Sequence, residues 1–245
     1  MNGLGIVAAL AAEARPLGVT PRESRQPIEL ADGTLLILSG VGPAAARDAA
    51  RRLAAAGVGA LLSWGMAGAL DPLLAPGTLV VPAEVVSPDG VLFATGHEWR
   101  ERVSRAIPAS QPLCSGRLLT SAEALGSLEA KSLALRRTAA VAVDMESSAI
   151  AEVAAASRLA FLVVRAIVDG ATDPVPRAAL SALTPGTDAL RIARMLAALA
   201  RAPAELPALI RLSGSYRSAR RALAAVARTG ALKPAGAAPL GTALP

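Results

Sequence analysis

Short apolar runs alternate with stretches of helical pattern along most of this chain. Several of the runs contain no polar residue and are bounded by glycine, proline or a charged residue, which is typical of strands buried on both faces. Such strands are predicted at Gly5–Leu10, Thr34–Ser39, Ala60–Trp64, Thr78–Ser87, Val141–Met145 and Phe161–Val168. Strands of this kind separated by helices predict an α/β fold, a single domain with a mixed, largely parallel central sheet flanked by helices.

Helices are predicted between the strands by composition and by signals at their ends. The helix Pro43–Ala56 has a proline in its first turn, where no N–H is needed, and Gly57 directly after its last turn. A glycine loop is predicted at 65–68, after the third strand. The other predicted helices are Glu98–Ala106, Ser121–Arg137 and Ser147–Ser157.

The character of the chain changes towards its C-terminal end. From Leu206 onward, apolar residues recur at helical spacing and arginines crowd the positions between them, with only Glu205 opposing them. This pattern predicts a basic amphipathic helix or helix pair. We therefore expect a main domain over 1–199, a basic helical extension over 200–232 and a disordered tail over 233–245, which is rich in Pro, Gly and Ala.

Composition narrows the classes of function. The chain has 245 residues, of which 53% are hydrophobic but only 2% aromatic, so alanine, leucine and valine must fill one large core. The single cysteine, Cys114, excludes an internal disulfide and suits a reducing compartment, and the single histidine, His97, argues against a histidine-rich metal site. The apolar N-terminal run lacks the basic start of a signal peptide, so a cytoplasmic location is expected.

The charge of the chain is strongly basic, with a formal net charge of +6 and a pI of about 10.8. Such a balance suits nucleic acid, an anionic membrane or an anionic substrate. Basic and aromatic residues are not interleaved and no zinc-finger or RNA-recognition signature is present, so nucleic acid is not expected as a partner. Residues 53–70 carry no charge, but glycines interrupt them, so we expect a helix end, a strand and a loop rather than a membrane span.

Two glycine-rich turns follow predicted strands. The segment GVGPAA at 40–45 fits the G-x-G-x-x-A pattern of dinucleotide-binding loops. An NAD site would also need an acidic residue about 20 positions further on, and Asp71, the next carboxylate after the following strand, is too far along. A tight turn and a loop facing phosphate or ribose are the alternatives. In the second turn, at 65–68, the glycines would let backbone N–H groups approach a ligand closely.

Acidic residues stand at the carboxyl ends of two buried strands, where ligands bind in open α/β sheets. Asp144 and Glu146 are either charges favoured by the N-terminal dipole of the next helix, or one of them grips vicinal hydroxyls while Met145 packs against a sugar ring. Asp169, after the other strand, is either a helix cap or a functional acid. Arg165 lies inside the same apolar strand and needs a buried partner or a ligand, which favours the functional interpretation.

These residues resemble a known family. The stretches VDMESSAIAEVA and FLVVRAIVDGATD, preceded in order by GIVAALAAEA, SGVG, SWGMAGALDP and GTLVVP, resemble the nucleoside phosphorylase superfamily, which includes the methylthioadenosine/S-adenosylhomocysteine nucleosidases. The resemblance covers about residues 3–175. The C-terminal stretch ELPALIRLSGSYRSARRAL resembles a narrower branch, the hopanoid-associated phosphorylases, which remove adenine from adenosylhopane.

The resemblance implies an enzyme that cleaves the N-glycosidic bond of a 5′-substituted adenosine. It implies that Glu146 grips the ribose hydroxyls beside Met145, and that Asp169 protonates or hydrogen-bonds N7 of the purine. It also implies that Glu13 activates water in hydrolytic members and that Arg165 lies near the water or phosphate. The remaining substrate-binding residues that it implies are Asp144, Gly65, Ala67 and Gly68.

Three departures from the family pattern leave the acceptor of the ribosyl group open between water and phosphate. Met66 stands where phosphorylases have a hydroxyl residue for phosphate, Val168 where nucleosidases have a serine that orients the acid, and Ala124 where nucleosidases place an aromatic ring under the base. Apart from phosphate as a co-substrate, no cofactor and no metal is implied, and a homo-oligomer is expected.

Three hypotheses follow for the function. The first is release of adenine from adenosylhopane, a nucleoside with a bulky apolar 5′ group, by a protein whose basic helices after Leu199 contact the anionic inner face of a membrane. The second is a methylthioadenosine/S-adenosylhomocysteine nucleosidase. The third is a non-catalytic lipid-binding protein that keeps an enzyme fold, because a fold alone does not establish an activity.

Overall fold

The computed structural model describes residues 3–19, 26–182 and 188–234, and its strands form one mixed sheet. The strands are β1 (Gly3–Ala8), β2 (Ile28–Glu29), β3 (Leu35–Leu38), β4 (Val58–Ala69), β5 (Leu79–Val80), β6 (Glu84–Val86), β7 (Leu92–Ala94), β8 (Leu113–Cys114), β9 (Leu118–Thr120), β10 (Ala142–Asp144) and β11 (Ala160–Asp169). The helices are α1 (Ala11–Ala14), α2 (Pro43–Ala55), α3 (His97–Ala106), α4 (Leu128–Thr138), α5 (Ser147–Ala156), α6 (Arg177–Ala182), α7 (Asp188–Arg201) and α8 (Leu206–Ala227).

The long strand β4 lies at the centre of the sheet. Neighbouring strands follow the order β2-β3-β1-β4-β10-β9-β6-β7, and β11 pairs with β4 and with β5, which continues to β8. β1, β3, β4 and β11 run parallel to one another, and so do β6, β9 and β10, whereas β10 runs antiparallel to β4. The predicted α/β fold with a mixed, largely parallel sheet is confirmed.

Helices cover both faces of the sheet. On one face α2 and α5 bury Leu53 and Ile150, and on the other α3 and α8 bury Trp99 and Leu223. Much of the remaining helix surface in these cores is alanine, which lets the helices approach the sheet closely. The C-terminal half of α8 is thus part of the core, while most of its N-terminal half is exposed. The domain boundary at residue 200 stays a prediction.

Two strands meet head to head on one edge of β4. β1 runs parallel to β4 and ends with Ala8 opposite Trp64, and β10 enters from the other end with Val143 opposite Gly68. β11 pairs with β4 at both of these positions, so it occupies the opposite edge. Among the described residues, no strand therefore covers this edge of β4 at residues 65–67. The carboxyl ends of β1 and β10 both point to this gap.

Two predicted elements along the sheet differ from the observed ones. The glycine loop predicted at 65–68 is part of β4, because β11 pairs with that strand as far as Gly68. The strand predicted over Thr78–Ser87 is broken into β5 and β6, because Pro82 between them has no N–H to donate to a ladder. One continuous strand therefore spans the gap from end to end.

The helix predicted over Ser121–Arg137 begins only at α4. Ser127 precedes it in an extended conformation, and its hydroxyl oxygen accepts a hydrogen bond from Ala130 N at 3.2 Å. Such a cap sets the start of a helix because it satisfies an N–H that has no partner within the helix.

The basic helix predicted from Leu206 onward corresponds to α8, whereas α7 lies almost entirely within the range predicted for the main domain. No helix in the described ranges is long and apolar enough to cross a membrane. Of the tail predicted to be disordered, 235–245 lies outside the described residues, and Lys233 pairs with Asp32 at 3.1 Å.

Candidate active site

A cavity of about 250 Å³ lies at the gap in the edge of β4. Most of its wall is apolar, and acidic side chains reach it from α1, β10, the start of α5 and the end of β11. The predicted site residues on the wall are Glu13, Ala67, Gly68, Asp144, Met145, Glu146 and Asp169. The other two predicted site residues, Gly65 and Arg165, lie behind the wall.

Glu13 fills the gap in the edge of β4. Glu13 is 4% exposed, its Oε1 accepts a hydrogen bond from Met66 N at 2.9 Å, and its Oε2 accepts from the backbone N–H groups of Ala9 and Leu10, each at 3.0 Å. Burial raises the pKa of this carboxyl above its usual 4.5, against the lowering effect of Arg165 and of the three N–H donors. The chain thus places a carboxyl with a raised pKa on the cavity wall.

Gly65 leaves room for two charged groups behind the wall. A Cβ atom at this position would lie 2.5 Å from Oε1 of Glu13 and closer still to the guanidinium of Arg165. A side chain on this strand residue would therefore displace both groups. The predicted close approach to the glycine backbone is made here by protein side chains.

Arg165 holds the acidic groups together from behind. It is 1% exposed, and its Nη2 lies 2.6 Å from Oδ2 of Asp144 and 3.7 Å from Oε2 of Glu146. Nη2 also donates to Ser63 Oγ at 2.9 Å. The partner that a buried arginine requires is thus a set of carboxylates rather than a ligand.

Asp144 is enclosed by hydrogen-bond donors. Its Oδ1 accepts from Thr120 Oγ1 at 2.9 Å, and its Oδ2 accepts from Ser147 N at 3.2 Å and from the Ser147 hydroxyl. Since Ser147 begins α5, these contacts agree with the interpretation of Asp144 as a charge at a helix N-terminus. Its predicted contact with substrate stays a prediction.

Glu146 is held on the cavity wall by the first glycine turn. Its Oε1 accepts a hydrogen bond from Gly42 N at 2.9 Å. Gly42 has a φ of 102°, a conformation that side chains disfavour, so the turn depends on glycine. Burial outweighs the lowering effect of Arg165 and raises the pKa of Glu146 to about 7. Because the Gly42 N–H donates to this carboxylate, it is not available to the phosphate of a dinucleotide. This contact argues against the dinucleotide interpretation of the turn.

Asp169 reaches the cavity wall at the end of β11 and is paired with a buried lysine. Nζ of Lys131 lies 2.5 Å from Oδ2 of Asp169, and it also donates to the carbonyl oxygens of Gly170 at 2.7 Å and Asp173 at 3.0 Å. Burial raises the pKa of Asp169 above its usual 3.8, despite the lowering effect of the lysine. Burial therefore favours the protonated form of Asp169, and the charge of Lys131 favours the ionised form.

Sequence patterns did not single out Lys131, Thr120 or Ser147. Lys131 lies in a helical run between leucines that are exposed, Leu128 and Leu133, so nothing local distinguishes it from a solvated lysine. Thr120 carries the one available signal, because it ends an apolar run as the acidic residues do. All three became visible only through their contacts with Asp144 and Asp169.

The family of the chain follows from its sequence as a whole. A model of the family described as the phosphorylase superfamily matches residues 4–202. The chain belongs to this superfamily. All the acidic residues of the cavity wall lie inside the matched range, and the prediction of an enzyme class from the motifs is confirmed at the level of this superfamily. No curated protein sequence matches the chain.

Solved structures with the same fold include two kinds of enzyme from two bacteria. The methylthioadenosine/S-adenosylhomocysteine nucleosidase of Helicobacter pylori is 18% identical, with a TM-score of 0.65 over 93% of this chain and 98% of its own. The futalosine hydrolase of the same organism is 17% identical, with a TM-score of 0.63 over 93% and 97%. The methylthioadenosine/S-adenosylhomocysteine nucleosidase of Campylobacter jejuni is 19% identical, with a TM-score of 0.61 over 81% and 96%. These likenesses establish the fold.

The three positions that depart from the superfamily pattern all lie on the cavity wall. They are Met66, Ala124 and Val168. Met66 and Val168 present apolar side chains where the resemblance led us to expect hydroxyl groups, and Ala124 is smaller than the expected aromatic ring. The wall therefore has fewer polar groups than the family pattern implies. The predicted homo-oligomer and the predicted cytoplasmic location stay predictions.

Proposed function

We propose that this protein hydrolyses the N-glycosidic bond of a 5′-substituted adenosine whose 5′ group is large and apolar, such as adenosylhopane. The observation that carries the proposal is the presence of Glu13, Glu146 and Asp169 on one apolar cavity, each in a different environment. Cleavage of this bond needs a proton donor for the base, a grip on the pentose and a base for the nucleophile. Membership of the phosphorylase superfamily and the nucleoside-cleaving names of the similar structures support the same class of substrate.

The three acids take separate roles in the proposed reaction. The bond between C1′ and N9 breaks, and its electron pair passes to the purine, which takes a proton at N7 from Asp169 and leaves as neutral adenine. Glu146 accepts hydrogen bonds from the ribose hydroxyls beside Met145. Water attacks C1′ from the other face of the sugar and gives its proton to Glu13, as in glycosidases with opposed carboxyl groups. The products are adenine and a pentose that keeps its 5′ group.

The raised pKa values suit these roles. A general acid is most effective when its pKa is near the working pH, and burial raises the pKa of Asp169 in that direction. Burial raises the pKa of Glu13 as well, so its carboxylate is a stronger base towards water than an exposed glutamate. The backbone N–H groups of Ala9, Leu10 and Met66 keep this base in place.

The charge of the cavity wall favours water over phosphate as the acceptor of the ribosyl group. Among the described residues that line the cavity there is no lysine, arginine or histidine, and Arg165 is turned towards Asp144 and Glu146. A phosphate dianion would enter a site of acidic groups without a free cation, which is costly in a medium of low polarity. Neutral water meets no such barrier.

An apolar 5′ group is favoured by the same wall. Leu180 of α6 and Leu212 and Tyr216 of α8 line the cavity together with Val175. Such side chains can cover a hydrocarbon substituent. The carboxylate of the amino-acid group of S-adenosylhomocysteine would find no cation on the described wall, so adenosylhopane is preferred over it as a substrate.

The first prediction concerns the products. With adenosylhopane we expect adenine and the free ribosyl product, at a rate that added phosphate does not change, and faster turnover than with methylthioadenosine or S-adenosylhomocysteine. Chromatography of reactions in phosphate-free and phosphate-containing buffer measures both products. A sugar 1-phosphate, or a rate that depends on phosphate, would contradict hydrolysis. Faster release from the two soluble nucleosides would make the protein a nucleosidase of that type, and no adenine from any of them would favour the non-catalytic alternative.

We also propose that α7 and α8 contact an anionic membrane surface. Ile192 and Leu196 of α7 and Ile210 of α8 are each more than half exposed. Arg211 and Arg217 are exposed on α8, which contains no acidic residue. Apolar side chains beside uncompensated arginines are the features by which amphipathic helices bind anionic bilayers. A lipid-like substrate would reach the cavity from such a surface.

Flotation with anionic and neutral vesicles tests the proposed contact of α7 and α8 with a membrane. Vesicles of phosphatidylglycerol are expected to carry the protein in a flotation gradient, whereas neutral phosphatidylcholine vesicles carry little, and high salt weakens the binding. Ile192→Gln combined with Leu196→Gln should abolish flotation. Leu73→Gln is the control, because Leu73 is 88% exposed on another part of the surface. Failure of the unaltered protein to float with either vesicle would contradict the membrane contact.

A further inference from the structure

Lys131, in α4, is buried beside the end of β11. It is 1% exposed, and Nζ contacts Oδ2 of Asp169 and the carbonyl oxygens of Gly170 and Asp173. An ammonium group has three N–H donors, and these three acceptors use all of them. Lys131 is not on the cavity wall, so its contact with a ligand in the cavity would be made through Asp169.

A buried lysine is a costly choice for stability alone. An ammonium group loses its hydration on burial, and a buried ion pair can often be replaced as a whole by apolar side chains without loss of stability. α4 is capped so that Lys131 falls in its first turns, with Lys131 N bonded to Ser127 O at 3.1 Å. The helix thus holds the base of this side chain firmly as well as its tip.

The carboxyl group of Asp169 is clamped from two sides. Lys131 binds Oδ2, and on the other side Gly68 lies so close that a Cβ atom there would be 3.0 Å from Oδ2 and 3.2 Å from Oδ1. Oδ1 accepts no hydrogen bond from any described residue. One oxygen is therefore fixed by the protein, and the other is left for a ligand in the cavity.

We propose that Lys131 is the positioning residue of the proposed reaction, an inference that rests on the proposed function. It fixes the rotamer of Asp169 so that Oδ1–H faces N7 of the departing adenine. When the proton passes from Oδ1 to N7 as the C1′–N9 bond breaks, Asp169 becomes an anion, and the ammonium 2.5 Å from Oδ2 stabilises that anion. Lys131 itself gives up no proton.

The charge of Lys131 also sets the pH range in which Asp169 can donate. The charged groups that act on Asp169 are Lys131, which lowers its pKa, and Asp173, which raises it, while burial raises it further. Donation needs the protonated form, so the rate falls as pH rises through the pKa of Asp169. Without the ammonium that pKa is higher, and the fall in rate moves to higher pH.

The test replaces Lys131 with methionine, which keeps the length of the side chain and removes the charge. Lys131→Met is expected to lower kcat for adenine release roughly 10- to 100-fold, the size of a charge-assisted hydrogen bond. It should leave the hydrolysis of the corresponding 4-nitrophenyl riboside nearly unchanged, because nitrophenolate leaves without a proton. The alkaline limb of the pH profile of kcat/KM should move to higher pH. Lys233→Met, at the chain's one other lysine, is the matched control.

The outcomes distinguish a failure of the proposed function from a failure of the proposed role of Lys131. If the unaltered protein releases no adenine, the proposed function is wrong, and this inference is wrong with it. If the unaltered protein is active but Lys131→Met slows both substrates equally, or slows adenine release with no shift of the pH profile, Lys131 is only structural. In the Asp169→Asn background, which removes the opposing charge as well, Lys131→Met should change the rate less than about two-fold. A further large loss there would overturn a role through Asp169.

Discussion

Asp169→Asn is expected to slow adenine release by roughly 10²- to 10⁴-fold in kcat/KM, the usual size of a general acid's contribution. Asparagine has the same shape and keeps an oxygen for Lys131, but it has no acidic proton for N7. The rate of the unaltered protein should fall as pH rises through the raised pKa of Asp169, because only the protonated form donates. The variant should lack this dependence. Initial rates of adenine formation across pH measure both effects.

The control is the same exchange at Asp89, which is exposed in the turn between β6 and β7. Asp89→Asn should leave the rate and its pH profile unchanged. A far-ultraviolet circular dichroism spectrum checks that each variant is folded. A loss below about ten-fold for Asp169→Asn would contradict the role of Asp169 as the acid, because it is smaller than general acid catalysis provides.

Arg165→Met is expected to lower the free energy of unfolding by roughly 3–5 kcal/mol, the usual cost of leaving a buried charge without its partner. The variant leaves Asp144, Glu146 and Glu13 buried without the cation that acts on all three. A loss of this size is a large part of the 5–15 kcal/mol by which typical domains are stable. Urea unfolding followed by circular dichroism measures it.

The control for this prediction is Arg117→Met. Arg117 pairs with Glu84 at 2.5 Å, but the two side chains are 30% and 35% exposed, so water screens the pair and we expect a loss of about 0–1 kcal/mol. Equal losses for the two variants would contradict the account of Arg165. The comparison uses the same chemical change at both sites, so packing of methionine itself does not explain a difference.

The effect of Arg165→Met depends on pH in a defined direction. In the folded protein the pKa of Glu146 is about 7, above its ordinary value of 4.5. Between these values the folded state binds more protons than the unfolded state, so stability decreases as pH rises through this window. Arg165 lowers the pKa of Glu146 and Glu13, so its removal raises both pKa values further and extends the decrease to higher pH. The loss should be smaller at about pH 5 than at about pH 8, and the opposite order would contradict this cause.

The strands and the acidic residues at their ends could be predicted because their signals are local. Runs such as Phe161–Val168 are too apolar for a surface, and a charged residue at the end of such a run must face a partner or a cavity. The motifs around Asp144 and Asp169 also led to the superfamily, which is confirmed. By contrast, the sequence predicts a flexible loop at 65–68, because glycines in isolation are flexible. Pairing with β11 overrides that preference and extends β4 through this segment.

Residue type and spacing are enough to predict the layers of this fold and the acids of its candidate site, because burial and strand ends leave marks within a few residues. The family followed from a resemblance to known motifs. Which side chains meet is a matter of distance in space. The pair of Lys131 and Asp169 spans 38 residues, and the contact between Gly42 and Glu146 spans 104. Such contacts depend on where a helix packs against the sheet, and no short stretch of sequence records that. The fold alone therefore settles the partners, and with them the charge and protonation, of the acids in the cavity.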